Sequence, residues 1–334
     1  MSVREALEKH LSSILRASKA TLLVLLSDES GLSIAKIGRS SDIKLDASEV
    51  TSVSAAAFSA SEENWEDLGI KNQIVAFSFF EKMCLITIRI DRTLLTIVHD
   101  FNQDWPMNAD IFGSGIYNLK KEIENYFGAR VPSTPQELEF FSNNVRTAIY
   151  LFSMGTEIPF ASYNNQALAN EDILKRISNV LDSVQNPVFA RYALVNPSGL
   201  TLDARDNAEQ SYPITLEAFS ANANVAFQKM IEEAQGMGIG SLVLYICLSG
   251  PDANTLSGII AAPSGRLMFS RPDSSEGNIE EISLIGLFPL TFGTVPLLGE
   301  SRNIVYSILE IIGADERAEK FVNCVNALIS KKIQ

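Results

Sequence analysis

Two imidazoles, three thiols and a few paired carboxylates are the groups in this 334-residue chain from which catalysis would have to be built. His10 stands among polar neighbours in a helical pattern, and His99 closes an apolar run just before Asp100. Each reads as a surface or strand-end histidine rather than a general base. Cys84, Cys247 and Cys324 are far apart, odd in number and embedded in apolar runs, where a thiol behaves as a small hydrophobe. Their spacing fits neither a zinc site nor a disulfide framework, and a reducing cytoplasm is the expected compartment. A phosphate cradle of the form GxxxxGK[ST] is absent, Gly113-Ser114-Gly115 is a lone Gly-x-Gly without a suitably placed strand before it, and there is no GxSxG elbow. The expectation is a non-enzymatic chain without cofactor or metal.

The remaining charged constellations are acidic. Glu62-Glu63 with Glu66-Asp67, and Glu232-Glu233 beside Lys229, lie in two helical patterns. They read either as solvated helix faces or as an acidic rim that steers a basic partner. Trp65, next to the first cluster, is either a binding anchor or a packing residue. The candidate partner-binding set is therefore Glu62, Glu63, Trp65, Glu66, Lys229, Glu232 and Glu233. A formal net charge of -13 with no basic run argues against nucleic acid and anionic membrane as partners.

The elements that hold these groups repeat. At 334 residues, 46% hydrophobic and 20% charged, the chain has the size of two globular domains. SDESGLSIAKIG from Ser27 recurs as VNPSGLTLDARD from Val195, with Gly31 and Gly199 each supplying the turn of a β-hairpin. An amphipathic helix over 3–17 precedes the first hairpin. A helix from the Asp46 cap to about Leu68 follows it, with Gly69 ending that helix. Strands at Ile74–Phe80, Met83–Ile90 and Leu94–Asp100 come next, and then a helix over 111–127. The second half gives a helix at 172–184, a hairpin over 189–204, a helix at 216–236, and strands at 241–248, 257–262 and 266–270. Phe58, Gly69 and Ile70 fall on Phe227, Gly238 and Ile239, so register is kept through a whole helix. Further on, NLKKEIENYFGA at 118 meets NIVYSILEIIGA at 303, which places about sixteen extra residues between the second half's third strand and last helix. An added helix from Glu137 recurs from Glu316.

The boundaries that follow are 1–153, a linker at 154–170, and 171–334 with an insertion near 271–300. The uncharged run Ile282–Gly299 is broken by Pro289, Pro296 and three glycines, and reads as a strand or loop on a core rather than a membrane span. The N-terminus reads as lacking a signal peptide.

A unit of this order, with a hairpin turning on DESGLSIA, an alanine-rich helix ending in DLGI and a closing meander, resembles the roadblock/LC7 family. The resemblance covers residues 1–127 and, through PSGLTL and GMGI, residues 171–313. It implies an α/β fold of tandem profilin- and longin-related sandwiches, each a five-stranded antiparallel sheet with helices on both faces, here with an extra C-terminal helix per copy. It also implies pairing of two sheets edge to edge with their second helices side by side, forming a platform that binds a small Ras-like GTPase or assembles into a larger complex. Within this chain the expected pairing is Ile74–Phe80 with Ser241–Leu248, through Ile74, Ala76, Ser78, Leu242, Leu244 and Ile246. Each copy pairing with its twin in another chain, as a homo-oligomer, is the alternative. Other functional readings are a GAF- or PAS-like small-molecule sensor and a purely structural subunit.

Overall fold

The computed structural model describes residues 2–39, 45–65, 73–100, 107–128, 131–152, 166–184, 188–208, 214–249, 257–269, 278–289 and 294–313. Glu66, Asp67, Gly69, Cys324 and the terminal segment from Glu316 lie outside them, as does most of the expected linker. The first half runs α1 (Val3–Arg16), β1 (Thr21–Asp28), β2 (Ser33–Gly38), α2 (Ala47–Trp65), β3 (Gln73–Phe80), β4 (Met83–Ile90), β5 (Thr93–Asp100), α3 (Ala109–Phe127) and α4 (Pro135–Phe152). After β6 (Gln166–Leu168) come α5 (Glu171–Asp182), β7 (Arg191–Val195), β8 (Thr201–Asp206), α6 (Leu216–Ala234), β9 (Leu242–Ser249), β10 (Ser257–Phe269), β11 (Asn278–Pro289) and α7 (Thr294–Ile311).

Caps explain several helix starts. Ser2 and Glu5 form a reciprocal capping box on α1, and Asn108, Asn170 and Thr215 accept from the third residues of α3, α5 and α6. Asp46 accepts from Ser48 N at 2.7 Å ahead of α2.

All strands join one sheet in the order β2-β1-β5-β4-β3-β9-β10-β11-β7-β8, with β6 paired to β10 off this path. Reading outward from the β3–β9 seam, each half presents its third, fourth, fifth, first and second strands in turn. β3 and β9 are antiparallel, so the order is the same in both directions. Because the seam forms within one chain, neither strand keeps a free edge for a twin from another chain.

The sheet is covered on both faces. One face packs under α1, α3, α4, α5 and α7 around residues such as Leu11, Ile116, Phe77, Ile246 and Ile308. The other packs under α2 and α6 around Phe58, Phe227, Ala76, Tyr245 and Cys247. Phe58 and Phe227, matched in the sequence, are 1% and 0% exposed on the same face. Each core contains residues from both halves, so the seam lies in the middle of two shared cores. α4, whose role the sequence left open, packs on α3 and β3, burying Leu138, Val145 and Ile149.

The two hairpin turns are built alike. Asp28 Oδ1 accepts from the backbone of Ser30 and Leu32 at 3.0 and 2.9 Å, while Asn196 Oδ1 accepts from Leu200 N at 2.8 Å. Gly31 and Gly199 sit at φ +86° and +80°, against α2 and α6 respectively. A Cβ at Gly31 would meet Ser52 Cα at 3.1 Å, and one at Gly199 would meet Ala221 Cα at 3.3 Å. Gly31→Ala and Gly199→Ala are each expected to lower stability by about 1–2 kcal/mol, with Gly31→Ala the larger, read as a fall in the urea midpoint at constant slope.

Four expectations are corrected. First, β10 is continuous through Pro263-Ser264-Gly265, where the sequence divided it into strands at 257–262 and 266–270. A register shift at Pro263/Gly265 absorbs the break, and Ser264 Oγ accepts from Leu284 N at 3.1 Å, standing in for a ladder partner. Second, the fifth strand of the second half is β11, between β10 and β7, within the segment expected as an insertion. Gly286 there is a packing requirement, since a Cβ would come 2.5 Å from the Phe189 ring. The surplus residues go into longer strands and longer connections on both sides of β10, and Pro296 falls in the first turn of α7, where a missing N–H costs nothing. Third, Gln166–Leu168, expected in the linker, forms a parallel strand against Arg266–Met268. Fourth, of the two readings of His99, surface or strand-end, the strand-end one holds, since it lies at the end of β5, but it is buried, 0% exposed.

Candidate functional site

α2 and α6 lie side by side on one face of the sheet. Their runs of Ala and Ser bring two helix backbones close without long side chains between them, and their outward residues are correspondingly small. Ser52 is exposed, Ala56, Ser59, Ala218 and Ala221 are half-buried, and Val225 is 46% exposed. At the hairpin tips beside them, Leu32 and Leu200 are 70% and 64% exposed at matched positions.

Of the expected partner-binding residues, Glu62 is half-buried and paired with Arg89 Nη2. Arg89 Nη1 bonds Glu29 at 2.9 Å, and its guanidinium lies 5.4 Å from the centre of the Phe58 ring. Burial raises the Glu62 carboxyl above the usual range, with Arg89 pulling the other way. Glu63 and Trp65 are on α2, but only their backbones are described, and Glu66 lies outside the described residues. Lys229 pairs with Glu233 at 2.8 Å and approaches Glu232 at 4.0 Å, and the bond to Glu233 raises the ammonium pKa. Glu232 is exposed.

The helix pair is therefore not chemically symmetric. At matched positions of the second half, Pro197 stands for Glu29, Ile231 for Glu62 and, by strand register, Pro263 for Arg89. Amides take the ions' place there: Asn224 Nδ2 donates to Asn196 O at 3.1 Å and Gln228 Nε2 to Asn224 Oδ1 at 3.3 Å. Arg89 was missed in the sequence, although a lone cation in the apolar run MCLITIRI was the signal that it had a partner. Arg89→Ala is expected to cost only about 0.5–1 kcal/mol because its ion pairs are partly solvated; chemical unfolding at low and high salt checks this, with the difference shrinking in salt.

The expected pairing residues all fall at the seam. Ala76 faces Cys247, Ser78 faces Tyr245, Phe79 faces Leu244, Phe77 faces Ile246 and Phe80 faces Leu242, while Ile74 occupies a register shift between Gln73 and Val75.

Burial raises the Cys247 thiol to about 12 and pushes the Cys84 thiol well up, so both are protonated and inert at neutral pH. Among the described residues no group of three or more His, Cys, Asp or Glu is gathered as a metal site. No described helix is long and apolar enough to cross a membrane.

No family model and no curated protein matches the chain. Solved structures similar to part of it include the gliding protein MglB of Thermus thermophilus, at 19% identity over 37% of this chain and 93% of that one, with a TM-score of 0.34. Myxococcus xanthus MglB aligns at 20% identity over 35% of this chain and 96% of its own, TM-score 0.30. A roadblock/LC7 domain from Streptomyces avermitilis aligns at 17% identity over 36% and 97%, TM-score 0.29.

Proposed function

We propose that the chain is two roadblock-like units paired within one molecule, and that it is a non-enzymatic cytoplasmic interaction protein whose α2/α6 face binds a small Ras-like GTPase. The observation that carries this reading is the β3–β9 seam, which runs one sheet through both halves and sets α2 beside α6 on a single face. The surface so formed has small residues along the helices, exposed Leu32 and Leu200 at the hairpin tips, and acidic groups such as Glu29 and Glu232 around it. It has the makings of a flat apolar contact with a charged rim. Among the described residues the ion cluster at Arg89 exists at one end only, so the surface distinguishes its two ends and would seat one GTPase in one orientation.

The test is titration of the full chain against purified small GTPases loaded with GDP or a non-hydrolysable GTP analogue. The expected result is nucleotide-dependent binding in a 1:1 complex, weakened at least tenfold by Val225→Asp. Absence of any nucleotide-dependent partner would remove the GTPase from the proposal.

A small-molecule reading has one observation behind it: a cleft of about 400 Å³ between α5 and the sheet, lined by Leu174, Ile177, Leu194, Leu202, Leu267 and Ile282 among others. A thermal-shift screen of metabolites against the full chain, with Leu202→Trp as the filled-cleft control, separates the two readings.

A further inference from the structure

The helices α2 and α6 rest on chemically unlike stretches of the same sheet. Beneath α2, three hydroxyls are enclosed with no hydrogen-bond partner among the described residues: Ser27 on β1 and Thr96 on β5, 1% and 0% exposed, and Ser54 on α2 itself, 1% exposed. The Nε of Arg89 is enclosed and unpartnered as well. The three sheet residues share one face. Leu25 and Leu94 belong to the core under α2; Leu25 stands opposite Thr96, and Leu94 stands opposite both Ser27 and Arg89. Ser27 and Thr96 are therefore diagonal neighbours on adjacent strands, close enough for one side chain set between them to serve both.

Beneath α6 the same positions are apolar. Strand register puts Val195 at the place of Ser27 and Ile285 at that of Thr96, and the helix alignment puts Ala223 at that of Ser54. All three are in the core under α2 and α6. A hydroxyl shut away from water without a partner loses its hydration and gains no bond in return, a loss that a methyl group in the same place does not suffer. The attachment of the two helices differs too. Asn224 of α6 donates to Asn196 O at 3.1 Å and to Pro197 O at 3.3 Å, tying the helix to its hairpin turn. Ala55 occupies that position in α2 and has no polar group to offer. α2 is held at its C-terminal half, where Glu62 pairs with Arg89 and the guanidinium lies over the Phe58 ring. Toward its N-terminal half, Gly31 of the hairpin lies beside the backbone of Thr51 and Ser52 and the methyl group of Ala55, a contact with no directional bond to break.

We propose that α2 is the moving half of the α2/α6 surface and α6 its fixed half: residues 47–55 shift over the sheet, hinged on the Phe58–Arg89–Glu62 end, into a second position in which Ser54 donates to one of Ser27 and Thr96 and accepts from the other. In the observed position these bonds are unmade while Val50 and Val53 are packed in the core. In the second position the bonds form and part of that packing is given up, so the two arrangements offset each other. A partner that touches α2 differently in the two positions selects one of them. The shift stands on the fold alone and does not depend on which partner the surface binds.

The experiment is methyl relaxation-dispersion NMR on the full chain labelled at alanine and valine, which reads motion on the microsecond-to-millisecond scale. The expected result is exchange broadening at Val50, Val53, Ala55 and Ala57 of α2 and none at Ala223 and Ala234 of α6. The variant Ser27→Ala with Thr96→Val leaves the sequence of α2 untouched and removes both hydroxyls that the second position uses. It should lower the broadening on α2 by at least about fivefold, as the second position loses its bonds, and its urea midpoint should not fall below that of the wild type. Should the pair of substitutions fail to fold by circular dichroism, Thr96→Val alone carries the same expectation. A quiet α2, equal broadening on both helices, or broadening on α2 that the variant leaves unchanged would overturn the proposal.

Discussion

Ile246→Ala, a substitution in the second half, is expected to lower the unfolding free energy by about 2–5 kcal/mol and to move the tryptophan fluorescence transition by the same amount, although Trp65 and Trp105 both belong to the first half. Ile246 is 1% exposed and faces Phe77, itself 0% exposed, across the β3–β9 seam. The two side chains share one core, and on the opposite sheet face Ala76 and Cys247 share the other. Opening the seam would therefore uncover apolar surface on both faces at once, so neither half can unfold while the other stays native. The measurement is urea unfolding followed by tryptophan fluorescence and by far-ultraviolet circular dichroism on the same samples. Coincident transitions that shift together are the expected result. A fluorescence midpoint left in place while part of the dichroism shifts would show two independent domains and would refute the shared-core account.

That coupling is partly legible in the amino-acid string alone. Repetition of SGL and of the phenylalanine at Phe58 and Phe227 marks two copies of one element order, because register is a property of the string itself. The seam strands are also legible, since QIVAFSFF and LVLYICLS are apolar on both faces and a strand buried on both sides needs neighbours on both edges. What is not legible depends on partners distant in the sequence. Pro263 and Gly265 look like strand breakers, and only Ser264 bonding to Leu284 shows how the ladder passes through them. Gly286 looks like a breaker too, until the Phe189 ring is seen against it. The parallel strand at Gln166–Leu168 has no periodicity of its own and exists because β10 outruns β9 and leaves an edge.

The site is legible in the same uneven way. The acidic clusters are visible as letters, but the partner of Glu62 lies 27 residues away on another strand. The unpartnered hydroxyls beneath α2 need β1, β5 and α2 to meet, which no local pattern states.

His99 escapes the sequence for a related reason: its position at the end of a strand says nothing of what covers that end, and its burial has a measurable consequence. Its ring is fully enclosed, with Nδ1 3.2 Å from Thr21 Oγ1, and burial lowers its pKa from 6.5 to about 4. The folded chain thus holds the imidazole neutral where the unfolded chain protonates it. As the pH falls below about 6.5 the unfolded state takes up the proton first, so stability is lost progressively until the folded form also protonates near pH 4. The full loss is about 3 kcal/mol. Half-buried His10, whose pKa is also lowered by burial, adds in the same direction, and carboxylates such as Asp28, with a pKa lowered by its bond to Ser30, add at lower pH. The contribution of His99 is therefore isolated by comparing wild type with His99→Gln, which keeps a polar group for Thr21 but does not titrate. Urea unfolding free energies at pH 7.5, 6, 5 and 4.5 should show the wild type losing its advantage over the variant steadily from pH 6.5 downward. A difference between the two proteins that stays constant across that range would mean that His99 is not held neutral by the fold.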